Sequence, residues 1–134
     1  MGWMINAFVK VTGDQGRLMD LKNDETRFKG ALESASKVRK NELLWQWTSY
    51  SINPEPLIEE LANQYMELDF DVEIVSEELG YRGLIGFRKG RQTNDDQDLE
   101  WYGDKIDNYA FDSETSIVGR YFKGRTLLKE FSIM

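Results

Sequence analysis

At 134 residues, 40% of them hydrophobic and 13% aromatic, the chain has the length of one domain and enough apolar material for one packed core. It has no cysteine and no histidine, which excludes disulfides, thiol nucleophiles, zinc–thiolate sites, serine–histidine triads and two-histidine metal centres. A net charge of −7, from 24 acids and 17 bases, sets much of the surface against nucleic-acid phosphates.

Residues 3–11 (WMINAFVKV) are mostly apolar but too short to span a bilayer, and they lack the basic start and small-residue cleavage site of a secretion signal. Gly2 has no Ser or Thr where N-myristoylation needs one. A cytoplasmic protein without membrane association is expected. Ile5, Ala7, Val9 and Val11 alternate on one face of a first strand that ends at Gly13-Asp14. Leu18, Met19 and Leu21 suit a short helix from Gly16 to about Asn23. Ala31, Leu32, Ala35 and Val38 predict a second helix over residues 29–40.

Leu43–Tyr50 (LLWQWTSY) reads as a strand, with Leu43, Trp45 and Trp47 on one face and Leu44, Gln46, Thr48 and Tyr50 on the other. Asn53-Pro54 supplies an N-cap and a proline at the first helical position. Leu57, Ile58, Leu61, Ala62, Tyr65 and Met66 then form the apolar stripe of an amphipathic helix. Phe70–Ile74 predicts a third strand, and Tyr81–Phe87 a fourth after a turn at Leu79-Gly80. Within it, Gly83 and Gly86 point to a bulge or a closely packed neighbour. Residues 90–98 read as an exposed loop. Leu99–Tyr102 and Thr115–Phe122 look strand-like, and Thr126–Ile133 suits either strand or helix. The chain therefore reads as a single α+β domain over 1–134. It has a core over 1–90 and an acidic loop with a β-rich C-terminal extension over 91–134.

Charge is unevenly distributed. Residues 1–54 carry eight bases and six acids, whereas Glu55 to Glu78 holds nine acids and no base. Glu55, Glu59 and Glu60 lie near a helix N-terminus, where the macrodipole favours negative charge. Trp45 and Trp47 would form a stacking platform for single-stranded nucleic acid only if cations flanked them. No Lys or Arg occurs between Asn41 and Arg82, so both tryptophans are assigned to the core under the helix stripe. The loop NDDQDLE (Asn94–Glu100) fails the calcium-loop pattern in both registers, which place Leu99 and Lys105, or Trp101 and Asp107, where Gly and Glu are needed. The basic cluster GFRKGR (Gly86–Arg91) is read as a hairpin end paired with carboxylates or as rim contacts for a partner, and it blunts a sheet edge. Carboxylate pairs such as Asp71 with Glu73, or Glu77 with Glu78, are the only catalytic candidates, but hydrolysis needs two acids on facing elements. No nucleophile elbow, phosphate loop or dinucleotide fingerprint is present. No enzymatic activity, cofactor or metal is expected.

Asn6 and Gly13 around the first strand, Trp47 followed by Pro54 and Pro56, and the run Glu78, Gly80, Tyr81, Gly83 form a pattern. It resembles the YubB-type proteins of bacteriophages, plasmids and other mobile elements. The resemblance covers about residues 5–90 and is best over 43–90. The segment between the first helix and the tryptophan strand is shorter than that family has, and the tail after Gly90 matches nothing in it. The resemblance implies a ferredoxin-like sandwich, a mainly antiparallel sheet of four or more strands with two or three helices on one face. It also implies a mobile-element origin and no particular activity.

These readings lead to an expected function: a non-enzymatic phage or mobile-element accessory protein that binds another protein. An acidic surface made by Glu59, Glu60, Asp71, Glu73, Glu77 and Glu78 would meet a basic protein surface. A nucleic-acid-binding host-defence protein, such as a CRISPR–Cas component, offers one that an acidic inhibitor could occupy. Direct nucleic-acid binding is disfavoured, and a homo-oligomer is left open. The alternatives are a nucleic-acid-binding module using the tryptophan strand and a carboxylate-based hydrolase.

Overall fold

The computed structural model describes residues 4–25, 33–50, 53–76, 81–93 and 100–101. In chain order these form β1 (Met4–Thr12), α1 (Gln15–Lys22), β2 (Glu33–Arg39), β3 (Glu42–Tyr50), α2 (Glu55–Gln64), β4 (Asp69–Ser76), β5 (Tyr81–Arg88), β6 (Arg91–Gln92) and β7 (Glu100–Trp101). The sheet runs β2-β3-β1-β4-β5-β6, with β7 pairing β5, and every pairing is antiparallel. The architecture is therefore α+β, an antiparallel sheet with two helices among the described residues.

The alternation read from the sequence sets the central register. Val9 lies opposite Trp45 on one side and Val72 on the other, and Val11 opposite Leu43 and Phe70. Ile5, Ala7, Val9, Val11, Trp45, Trp47, Phe70 and Val72 thus share one face, and they form one apolar cluster with Leu18 and Leu21 of α1 and Ile58, Leu61 and Ala62 of α2. Burying a large side chain in such a layer contributes about 1.5–3 kcal/mol. Both helices start with backbone donors satisfied by a preceding side chain. Asp14 accepts from the Arg17 N–H at 3.2 Å. Asn53 accepts from the Glu55 N–H at 3.0 Å, but the helix starts one residue later than expected, with Pro54 in the N-cap position.

One predicted helix is absent. Residues 29–40 were expected to be helical, but Glu33–Arg39 is the edge strand β2, hydrogen-bonded along its length to β3. Its serines and alanine have no strong intrinsic preference, and pairing with β3 overrides it. Ser34 completes the pairing by accepting the Trp45 indole N–H at 2.9 Å. Residues 29–32 lie outside the described residues.

Two smaller expectations also shift, and the close-neighbour alternative holds for Gly86. Met66 was placed on the apolar stripe, but the helix ends at Tyr65 (φ −116°, ψ 59°) and Met66 is 53% exposed. Arg91 and Gln92 were read as loop, yet they pair with β5. Their turn is Lys89-Gly90 with φ of 54° and 77°, the doubly left-handed geometry of a tight hairpin. Gly86 sits in an unbroken register; it is a close-approach glycine, since a Cβ there would meet Thr93 Oγ1 at 2.7 Å. Thr115–Phe122 and Thr126–Ile133 lie outside the described residues.

Candidate functional site

The six acids singled out from the sequence do not form one surface. Glu59 and Glu60 are exposed on the outer side of α2, and among the described residues neither has an ion-pair partner. Asp71 lies on β4 and accepts from the Arg88 guanidinium at 2.9 Å, with Asp69 at 3.9 Å from the same group. Arg88 is fixed further by donating to the Phe70 and Phe87 carbonyls at 3.1 and 3.0 Å. The basic hairpin end is thus paired with carboxylates, as its sequence context indicated. Glu73 has no exposed surface at all, so it drops out of any contact surface. Its place on the strand explains this, because it follows Phe8 in register across β1 at the centre of the sheet. Glu77 and Glu78 lie outside the described residues.

The helix layer gathers a different set. Asp14, Asp20, Asp24 and Glu25 around α1, and Glu55, Glu59, Glu60 and Glu67 around α2, share these two segments with Arg17 and Lys22, and the Lys89-Gly90 turn packs against Ala62, Asn63 and Met66 at the end of α2. Eight acids against two bases over residues 14–25 and 53–68 give −6, most of the chain's net −7. The core stripes dictate this. Leu18 and Leu21 turn inward on α1, and Ile58, Leu61 and Ala62 on α2, so the polar remainder of each helix faces out.

Arg17 ties the layer together. Its guanidinium donates to Asp20 at 2.9 Å and to Glu67, and lies 4.7 Å over the Tyr65 ring. Tyr65 in turn donates its hydroxyl to Asp24 at 2.8 Å. Burial, with the hydrogen bond to Asp24 second, pushes the Tyr65 hydroxyl pKa up to about 12. The hydrogen bond from Arg17 holds Glu67 below the usual carboxylate range, and Glu67 with Asp20 raises the Arg17 guanidinium. Arg17 is therefore committed to its own layer, which leaves Glu25, Glu59 and Glu60 as exposed acids without an ion-pair partner among the described residues. Two methionines of the layer are also exposed, Met19 at 39% and Met66 at 53%.

Sequence reading missed Asp20, Asp24 and Glu67 as members of this layer. The spacing of Asp20 and Asp24 by one helical turn, opposite Leu18 and Leu21, is the signal that could have found them. The tryptophan strand offers no platform. Trp45 and Trp47 are 0% and 1% exposed in the core, so neither presents a face to a base. Among the described residues no group of three or more acidic side chains is close enough to hold a metal ion. Asp71 and Glu73 do not face each other across an opening either: they lie on one strand, one tied to Arg88 and the other enclosed. No described helix is long and apolar enough to cross a membrane.

Comparison with protein-family models, curated proteins and solved structures finds no match. The YubB-type resemblance thus stands on the sequence motifs alone.

Proposed function

We propose that this protein acts by binding a basic protein surface through its helix layer, without catalysing a reaction. The observation that carries this reading is the −6 charge of the helix layer, with its one central arginine already committed to Asp20 and Glu67. Such a surface attracts lysine- and arginine-rich partners over several ångströms and accelerates encounter. Glu59 and Glu60 are the residues that meet the partner, and Met19 and Met66, also exposed in this layer, supply adaptable apolar contact. Asp71 and Glu73, on the opposite side of the sheet, play no part in this contact.

The fold reading that accompanies it is ferredoxin-like. The β-α-β-β-α-β order of β1 to β4, with β4 and β3 flanking β1 and β2 outside β3, supports that reading and, with the quoted motifs, a mobile-element origin. In that setting the basic partner is a nucleic-acid-binding host-defence protein, whose phosphate-binding groove an acidic protein occupies in place of the nucleic acid.

The test is capture of partners from a bacterial lysate by the tagged protein, compared with the Glu59→Lys, Glu60→Lys double variant. A basic protein should be retained by the wild type, released by added duplex DNA that competes for the same cations, and lost from the variant. Retention that ignores both the charge reversal and the DNA would sink this reading. Recovery of no partner at low salt would do the same.

A further inference from the structure

We propose that the cleft at the β2–β3 turn binds a small phosphate-bearing anion, at a site separate from the acidic helix layer. The cleft encloses about 520 Å³, within the range of small-molecule sites. Its described lining is Thr12, Arg39, Lys40, Asn41 and Glu42. Its lining residues carry a guanidinium, an ammonium, a hydroxyl and a carboxamide, donors suited to the many acceptor oxygens of a phosphoryl group.

The single described carboxylate of the lining does not reverse this balance. Glu42 is approached by Arg39 Nε at 3.3 Å and by Lys10 Nζ at 4.0 Å, so two cations already offset it. Lys40 is then in excess, exposed at the rim and without an ion-pair partner among the described residues. Arg39 offers a planar fork to two oxygens, and Lys40 a mobile point charge. The wall is anchored, because the Gly13 N–H donates to the Asn41 carbonyl at 3.0 Å and ties the turn to the end of β1.

The backbone of the turn gives an independent reason. Lys40 has φ of 52°, the left-handed region that disfavours a side chain with a Cβ and that tight hairpins fill with Gly, Asn or Asp. A lysine there costs stability, and it holds a cation over the cleft.

The full chain, isotopically labelled, should be titrated with inorganic pyrophosphate and followed by amide chemical shifts, alongside the Arg39→Gln and Lys40→Gly variants. Saturable shifts are expected at Thr12 and residues 39–42, with affinity lowered roughly tenfold in each variant by loss of one charge-assisted contact. Lys40→Gly should also melt above the wild type, because glycine accepts the left-handed φ. Weaker binding by a more stable protein cannot be ascribed to unfolding. Unchanged affinity in both variants, shifts centred on residues 88–91, or the same shifts produced by acetate at matched ionic strength would each overturn the proposal.

Discussion

Both faces of the sheet bury side chains at its centre, but with different chemistry. On the helix-covered face Val9, Trp45 and Phe70 are 0% exposed, and every large side chain there is apolar. On the opposite face Phe8 is 1%, Gln46 2%, Thr48 5% and Glu73 0% exposed. Sequence patterning led to one covered and one open face, yet β3 is buried on both from Leu43 to Ser49. The first face is stabilised by area and close packing, which tolerate no cavity. The second depends on polar groups finding partners, because an unmet donor or acceptor costs about 1–3 kcal/mol. Thr48 donates to Asn6 Oδ1 at 2.6 Å, whereas Gln46 Oε1 has no partner among the described residues.

The contrast can be broken first where the effect is largest. Trp45→Ala should cost about 3–5 kcal/mol in a denaturant melt, the usual range for deleting a buried aromatic. A finer comparison separates the two tryptophans. Trp45 donates to Ser34 at 2.9 Å, while Trp47 Nε1 has no partner among the described residues. Trp45→Phe should therefore lose about 1 kcal/mol more than Trp47→Phe. Equal losses would show that only shape matters on this face.

On the polar face, Thr48→Val keeps the shape and removes the donor to Asn6. It should cost about 1–3 kcal/mol despite adding apolar surface. A neutral or stabilising result would mean that the second face, too, is held by area alone.

The smallest expected change concerns the helix layer and its dependence on pH. Tyr65→Phe should cost about 1 kcal/mol near neutrality, from the lost bond to Asp24. The folded chain holds the Tyr65 proton to about 12, against an ordinary value of 10.0. That contribution is full below the ordinary value and is lost as pH rises through the folded one. The wild type should thus lose denaturant resistance across this alkaline window more steeply than Tyr65→Phe. Parallel curves for the two proteins would exclude the Tyr65–Asp24 link as their cause. At the acid end Glu67 acts in the opposite sense: its lowered pKa gives stability that is present above the ordinary carboxylate range and fades as pH falls.

Local periodicity determined the parts of this protein that were legible in its sequence. Alternation from Ile5 to Val11 and from Leu43 to Trp47, and the stripe from Leu57 to Ala62, produced the strands, the helix and the core face where the structure has them. Asn53-Pro54 likewise marked where α2 begins. These features are legible because side-chain direction follows from spacing alone. Tertiary structure alone decided the rest. Residues 33–39 became a strand because β3 offered an unpaired edge, a partner no local window contains. Glu73 was enclosed, Asp71 was taken by Arg88, and Asp20, Asp24 and Glu67 were linked through Arg17 and Tyr65. Each of these outcomes turns on which elements lie side by side. A charge in the sequence has a sign, but its neighbours, and therefore its availability to a partner, exist only once the chain has packed.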